Sequence, residues 1–331
     1  MGGRSCSGKQ HGCGLALILA DASDGRQGGE TNCSKAAKPK RFLIINADDL
    51  GYTRGINRTI AHCHLQGVVS SATLMASGNA FEDALARVKD LPGLGVGVHL
   101  ALTELRPVAP PRALPGLVSG QGMLPPTPGV LFRAVLEGAI SRKVLATELE
   151  WQVMKIVDKG LTPTHLDTHK HVHVLPAILE SVIHVADQCG IRWIRNPFDE
   201  TSVASSLLSV AGENRLALCR QYLKTRMFSI FRSRFGRLLR TAGLRSPDHF
   251  FGTMITGIWN ETTIRQLVNR LPAGLNELMT HPGECDAALR LQSTRLRESR
   301  EQEKEVLLAP AFRDSLQSQQ IILTHYGDHA R

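Results

Sequence analysis

The sequence contains no long apolar run, few aromatic residues and fewer acidic than basic residues. No stretch of the 331 residues approaches the roughly 18 apolar residues of a bilayer-spanning helix, so we expect no transmembrane helix. Aromatic residues make up only 5% of the chain, and neither zinc-finger spacing nor an aromatic stacking motif indicates a nucleic-acid partner. The hydrophobic content of 42% excludes wholesale disorder.

The seven cysteines do not form a recognisable disulfide or metal-binding pattern. Their number is odd and no Cys-x-x-Cys pair occurs, which argues against a disulfide scaffold and against a zinc knuckle. This pattern predicts a reducing, cytoplasmic location. Residues 1–40, rich in Gly, Ser and Lys, are expected to be a disordered extension. A signal peptide around the short apolar segment 14–20, or a mis-assigned start, stays open as an alternative.

Strand and helix patterns alternate from residue 41 onward. Strands are predicted at 42–46, 68–75, 94–102, 164–169, 191–195, 250–256, 274–279 and 320–323. Helices are predicted at 54–66, 80–89, 130–140, 143–158, 176–189, 261–271 and 294–308. About eight strand–helix units favour a (β/α) barrel, TIM-like or distorted, in a single α/β domain over residues 41–331.

Acids and imidazoles cluster where these predicted strands end. Asp48 and Asp49 follow the first strand, and His99 lies near the end of the third. The fourth strand leads into a histidine-rich run, and the strand at 274–279 is followed by His281. Because the carboxyl ends of barrel strands form the active face, we expect four separate segments to bring these groups to one rim.

The histidine-rich run has a spacing of two residues. Its members are His165, Asp167, His169, His171 and His173, and an extended segment would point all five to one side. Imidazoles with a carboxylate suit a divalent metal that keeps positions open for water. The spacing leaves open which histidines are ligands and which support them.

The adjacent acids Asp48 and Asp49 would have two different roles if a turn at Gly51 brings both side chains to the rim. One would bind the metal, and the other would act as the general base on its water. The structural alternative is that they cap the N-terminus of the following helix.

Together these motifs resemble the YdjC family of carbohydrate deacetylases (ChbG/HpnK type). The resemblance covers residues 41–283 and rests on four segments: Asn46-Ala-Asp-Asp-Leu-Gly51, Gly97-Val-His-Leu100, Pro163-Thr-His-Leu-Asp-Thr-His-Lys-His-Val-His173 and Met279-Thr-His-Pro-Gly283. It implies a β/α-barrel hydrolase that removes acetyl groups from N-acetylated sugars. It also implies a divalent cation, magnesium in the family, with Zn²⁺ or another transition metal left open.

The resemblance implies roles for individual residues at the rim. Asp48 matches the family's proton acceptor, and Asp49, His99 and His169 match its metal ligands. His281, in the His-Pro-Gly motif, is the candidate general acid. These assignments predict a metal-assisted attack of water on the acetamide carbonyl.

Further positions extend the resemblance. Arg195 belongs to an Arg-x-Pro element near the family's site. The remaining members of the run are expected to contact the substrate or to support the ligands: His165, Asp167, His171 and His173. Leu50 stands where Phe is usual. Lys170 and the stretch 106–108 resemble a branch of the family associated with hopanoid biosynthesis, which makes a lipid-linked sugar a candidate substrate.

Most of the positive charge lies in one segment. Residues 205–245 hold nine Lys and Arg against one acid, Glu213, so they carry +8 of the formal +9 of the chain. Apolar residues recur among them at helical spacing, which predicts a basic helical insertion. Such an insertion indicates peripheral contact with a membrane surface or an anionic ligand, and the alternative is a solvated insertion over the barrel mouth.

Other functions stay open at this point. A metal-dependent phosphoesterase would use a similar rim, and a non-catalytic metal- or glycan-binding protein would use part of it. The predicted partner is an N-acetylated sugar or oligosaccharide and not a nucleic acid. A homodimer is left open.

Overall fold

The computed structural model describes residues 39–329, which are built around one parallel β-sheet. The predicted N-terminal extension therefore lies outside the described residues, except for Pro39 and Lys40. Seven strands occur in this range: β1 (Arg41–Leu50), β2 (Ser71–Leu74), β3 (Gly95–Leu100), β4 (Leu166–Thr168), β5 (His249–Phe251), β6 (Gly274–Thr280) and β7 (Ile321–Leu323).

Every strand pairing in the sheet is parallel. The order is β4-β3-β2-β1-β6-β5, and β7 pairs with the first residues of β1. Residues 43–50 of the central strand β1 are all buried, as expected for a parallel strand that is covered on both faces. The carboxyl ends of β1, β3, β4 and β6 consequently lie at one edge of the sheet.

The sheet is curled, but the hydrogen-bonded strands of residues 39–329 do not form a closed eight-stranded barrel. The predicted strand at 191–195 is wrong: Ile194 makes an isolated bridge to β4, and Asp199, beyond the predicted strand, makes an isolated bridge to β5. Pro197 lies between the two bridging residues and has no N–H to continue a ladder. The segment therefore contacts both edge strands without becoming a strand.

Helices connect and cover the strands. They are α1 (Arg54–Leu65), α2 (Phe81–Val88), α3 (Pro128–Leu136), α4 (Arg142–Val157), α5 (Pro176–Gln188), α6 (Ala204–Val210), α7 (Arg215–Phe228), α8 (Arg232–Thr241), α9 (Glu261–Val268), α10 (Ala287–Arg290), α11 (Ser299–Leu308) and α12 (Pro310–Ser318). Within residues 39–329, no helix combines the length and the apolar character that crossing a membrane requires.

The basic segment of the sequence contains α6, α7 and α8. Short 3-10 turns separate successive helices across residues 204–241. Leu218, Phe235 and Leu239 are buried and belong to the main hydrophobic core. One face of this segment therefore packs on the domain, and the basic residues lie on its other faces.

Two consecutive aspartates reach the same edge because β1 is irregular at its end. The register between β1 and β2 shifts between Ala47 and Leu50, and Asp49 takes a left-handed backbone conformation with φ of 68°. Gly51 follows with φ of 92°, and its N–H donates to Asn57 Oδ1 over 2.7 Å. The bulge, more than the predicted turn at Gly51, lets both side chains enter the site.

The start of α1 shows whether Asp48 or Asp49 caps this helix. Thr53 precedes α1 in an extended conformation, and its Oγ1 accepts a hydrogen bond from Ile56 N over 3.2 Å. Thr53 is thus the N-cap residue. The alternative that Asp48 or Asp49 caps this helix is wrong.

The histidine-rich run is extended only over its first part. β4 ends at Thr168, and residues 169–174 form a 3-10 turn in which Lys170 and His171 have φ of 58° and 55°. The prediction that all five alternate side chains point to one side is therefore wrong. The reason lies in Thr168, whose Oγ1 accepts from His173 N over 3.2 Å and bonds to His173 Nδ1 over 2.6 Å. These bonds draw the chain back on itself.

Candidate active site

Asp48 lies near the end of β1 and is paired with a buried arginine. Arg195 Nη1 and Nη2 donate to the two carboxylate oxygens over 2.7 and 2.6 Å, and both side chains are buried. Burial alone would raise the pKa of Asp48, but the Arg195 guanidinium outweighs burial and holds this pKa well below its ordinary value. Asp48 is therefore an ionised carboxylate of fixed orientation at neutral pH.

Asp49, His99 and His169 bring three ligand atoms together from β1, β3 and the turn after β4. Asp49 Oδ1 lies 3.4 Å from His99 Nε2 and 3.3 Å from His169 Nδ1, and the two ring nitrogens are 3.3 Å apart. Asp49 Oδ1 is buried and has no hydrogen-bond partner among residues 39–329. A cation with ligand bonds of about 2.0–2.1 Å holds neighbouring ligand atoms roughly 3 Å apart, so these residues fit a divalent metal.

Asp167 lies behind His99 and fixes its ring. Asp167 Oδ1 is 2.7 Å from His99 Nδ1, which leaves His99 Nε2 facing the other two ligand atoms. Burial lowers the pKa of His99, but the Asp167 carboxylate more than offsets burial and the pKa rises to about 10. The surrounding carboxylates therefore stabilise positive charge here, and a metal ion would have to displace the proton from Nε2 to bind. A carboxylate behind the ring is usual at metal-binding histidines.

A second group also brings potential ligand atoms within 4.8 Å of one another: Asp48, His99 and Asp167. Arg195 donates to both carboxylates of this group, over 2.7 Å to Asp48 Oδ2 and 2.6 Å to Asp167 Oδ2. The guanidinium already supplies the positive charge that a cation would bring there. The group containing Asp49 is consequently the better metal site.

A buried polar chain continues from Arg195 into the interior. Arg195 Nε donates to Glu277 Oε1 over 2.8 Å, and the Tyr326 hydroxyl donates to Glu277 Oε2 over 2.6 Å. Burial raises the pKa of Glu277 to about 7, against the opposing effect of Arg195. Arg195 thus donates to three buried acids, Asp48, Asp167 and Glu277, and these contacts fix the position of Asp48.

Two further site residues come from α11, and no sequence motif indicates them. Arg300 Nη2 donates to Asp49 Oδ2 over 2.5 Å, which leaves Asp49 Oδ1 for the histidines. Glu303 Oε2 accepts the backbone N–H of His281 over 2.5 Å, and burial raises the pKa of Glu303 to about 7. The available signal was an Arg and a Glu three residues apart on one helix face, hidden among other charged residues of α11.

His281 follows β6 and faces Asp48. Its Nε2 is 3.8 Å from Asp48 Oδ2, and its Nδ1 is buried without a hydrogen-bond partner in the described part of the chain. Burial lowers the pKa of the His281 ring to about 4, although the Asp48 carboxylate acts in the opposite direction. The ring is therefore neutral at neutral pH, so it can act as a general acid only after it has received a proton.

The other histidines of the run have three different environments. His165 is stacked on Tyr326 with ring centres 3.7 Å apart, so it lies in the interior. His173 Nε2 lies 3.1 Å from the carbonyl oxygen of Arg195 and holds the turn in place. His171 lines the cavity described next. Of these three, only His171 is placed to contact a substrate.

The site opens into a cavity of about 570 Å³. This volume lies within the ~300–1,000 Å³ that is usual for small-molecule sites. Asp48, Asp49 and His281 lie on the lining together with His99 and His169, and α7 contributes Arg220 and Lys224 to the wall. The cavity thus joins a buried, charge-paired floor to a basic outer wall.

Comparisons with known proteins find relatives along most of the chain. Residues 42–318 match the family described as YdjC-like protein. A carbohydrate deacetylase of Brevibacillus brevis is 32% identical over 286 residues, which is 86% of this chain and 98% of that protein. A chitooligosaccharide deacetylase of Enterobacter sp. is 40% identical over 153 residues, which is 46% of this chain and 58% of that protein.

A solved structure supports the fold. The crystal structure of a "putative cellobiose-phosphate cleavage protein" from Enterococcus faecalis V583 aligns with a TM-score of 0.70. The alignment covers 88% of this chain and 100% of that chain at 23% sequence identity. At this identity the similarity establishes the architecture alone.

Proposed function

The chain belongs to the YdjC-like family, and from this membership we propose that it is a metal-dependent hydrolase that removes acetyl groups from N-acetylated carbohydrates. Two relatives whose sequences match most of the chain carry the name carbohydrate deacetylase. The observation that carries the proposal is the site itself. An Asp-His-His group lies beside Asp48, a carboxylate held by Arg195 and faced by His281.

The chemistry follows from the placement of these groups. Bound at the Asp-His-His group, a divalent cation would polarise the acetamide carbonyl and lower the pKa of a nearby water. Asp48 Oδ2 is positioned to accept the proton of the attacking water, because Arg195 keeps the carboxylate ionised and oriented. His281 Nε2, 3.8 Å away, would take this proton and deliver it to the departing nitrogen, which is too basic to leave as an anion. The products are acetate and a free amino sugar.

The donor set bears on the identity of the metal. Mg²⁺ prefers oxygen ligands, whereas imidazole suits Zn²⁺ and other transition metals. With two of three ligands being His99 and His169, we propose a transition metal ahead of the magnesium that the resemblance implies. Metal analysis of the purified protein, followed by reconstitution of the apoprotein with Zn²⁺, Co²⁺ or Mg²⁺, tests this choice.

The finer proposal is that the acetylated sugar is attached to a lipid. Its support is the Lys170 motif of the sequence and the position of α7, whose Arg220 and Lys224 line the cavity wall.

We further propose that the segment 193–199 closes the curled sheet as the missing part of a distorted barrel, since it bridges both edge strands. A cytoplasmic location stays a prediction from the cysteine pattern.

Acetate release from a panel of substrates tests the proposed function. The panel contains chitooligosaccharides, a lipid-linked N-acetylglucosamine and phosphate monoesters, each with and without a chelator. We expect acetate from the N-acetylated sugars, loss of this activity with the chelator, and recovery on adding metal. Phosphate release without acetate release would make the protein a phosphoesterase, and metal-dependent glycan binding without turnover would make it a binding protein.

A further inference from the structure

The helix α7 exposes an apolar stripe. Leu216, Leu223 and Met227 are 62%, 63% and 64% exposed, and Ile230 in the following turn is 73% exposed. At 3.6 residues per turn, positions 216, 223, 227 and 230 fall on one side of the helix. The buried Leu218 lies on the opposite side. Contiguous exposed apolar side chains of this kind usually mark an interaction surface.

Basic residues lie on both flanks of the stripe. By the helical period, Arg220 and Lys224 lie on the flank that lines the cavity, and Arg215 and Arg226 lie on the other. None of the four forms an ion pair with another residue of the described range 39–329. The nearby acid in sequence is Glu213, just before the helix.

We propose that α7 docks on the surface of an anionic lipid bilayer. A helix that has an apolar stripe between two rows of Lys and Arg lies in the plane of a membrane interface, with the stripe toward the acyl chains and the cations at the headgroups. The charge of this face is complementary to anionic headgroups, and each nearby Lys or Arg strengthens partitioning by about fivefold. A neutral or cationic partner would leave the four cations without counter-charges.

Docking in this orientation places the cavity next to the membrane. Arg220 and Lys224 belong both to the cavity wall and to one flank of the stripe. Other exposed apolar residues lie close in sequence to cavity-lining residues, namely Val130 near Pro128 and Leu291 near Thr294. The mouth of the cavity is consequently expected to face the lipid surface. This proposal concerns binding and does not depend on the reaction.

Vesicle sedimentation with the full chain tests the proposal. Wild-type protein is mixed with vesicles of phosphatidylcholine alone or of phosphatidylcholine with phosphatidylserine, at low and at high salt. Leu223→Glu changes the stripe, and Leu65→Glu is the matched control, because Leu65 is 61% exposed on α1 and does not line the cavity. All variants carry the same residues 1–38, so a difference between them reports on α7.

We expect wild-type protein to bind the anionic vesicles and to be released by salt. Leu223→Glu should lower the partition coefficient about tenfold, since it places a charge in the apolar stripe, and Leu65→Glu should stay within about twofold of wild type. Equal binding by both variants, or binding to neutral vesicles that salt does not weaken, would overturn the proposal. So would absence of vesicle binding with a dimer in solution that Leu223→Glu dissociates, because the stripe would then be a contact between two copies.

Discussion

The strand-end site and the surface of α7 both hold many charges, but they differ in how those charges are paired. At the site, the buried Arg195 and Arg300 each donate to a buried carboxylate. On α7, Arg220 and Arg226 are exposed and form no ion pair within residues 39–329. Buried pairs fix geometry, since losing one partner leaves a charge without compensation, whereas exposed charges mainly govern association. The net positive charge of the sequence therefore reflects the exposed basic residues around α7 and not the candidate active site.

The largest expected effect comes from removing one buried charge without changing its shape. Asp48→Asn should lower kcat for acetate release by about 10²–10⁴-fold, because the substitution removes the proposed proton acceptor. Metal content after dialysis should stay near the wild-type value, since the proposed ligand Asp49 is unchanged. Turnover at the wild-type rate would assign the base to another residue.

A pair of arginine substitutions measures the difference between the two regions directly. Arg195→Met leaves Asp48, Asp167 and Glu277 without their shared partner, so the free energy of unfolding should fall by about 3–5 kcal/mol. Arg226→Met on α7 should change it by less than about 0.5 kcal/mol. Urea unfolding of both variants gives the two values, and similar losses would remove the distinction.

A smaller effect is expected for Asp167, which acts through the proposed ligand His99. Asp167→Asn should weaken metal affinity about 10–100-fold, because the amide no longer holds the His99 ring as the carboxylate does. Asp158→Asn, at an exposed position after α4, is the matched control and should leave the affinity unchanged. Isothermal titration of the apoproteins with Zn²⁺ compares them. Unchanged affinity in Asp167→Asn would show that His99 is oriented by its other contacts.

The last effect concerns Asp199, which joins the interior to the basic segment because its carbonyl oxygen accepts from Arg232 of α8. Burial raises the pKa of Asp199 from 3.8 to about 7. Between these values the folded state keeps a proton that the unfolded state releases, so this contribution to stability is complete below about pH 4 and is lost as the pH rises through 7. Asp199→Asn should therefore reduce the fall in unfolding free energy between pH 5 and 8. Urea unfolding at both pH values checks the difference, and an identical fall in wild type and variant would contradict it.

The meeting of acids and imidazoles at one edge of the sheet could be predicted from sequence. Asp48, His99 and His281 each follow or end a strand whose apolar residues are evident, and parallel strands end together. The family resemblance then supplied the candidate roles. The alternating pattern could not predict that β4 ends at Thr168. A hydrogen bond between the Thr168 side chain and His173 determines where the chain turns.

Arg195 could be found through its Arg-x-Pro element, but the charged neighbours that α11 supplies were beyond the reach of sequence motifs. Arg300 and Glu303 lie on a helix far along the chain, and charged residues on a helix are usually solvated. Only the packing of α11 against the site makes them buried and paired. Likewise, the bridges made by Ile194 and Asp199 depend on the positions of two edge strands that are separate in sequence.

The pairing of β1 with β7 affects the order in which the sheet can form during synthesis of the chain. Arg41 lies opposite Ile321 in the ladder, and Tyr326 completes the polar chain beneath Arg195. A ribosome adds about 5–20 residues per second, so β1 waits on the order of tens of seconds for its last neighbour. During this interval a central apolar strand has an unpaired edge, which is the kind of surface that chaperones protect from aggregation. The polar chain beneath the site is therefore completed late, only after residue 326 has been added to the chain.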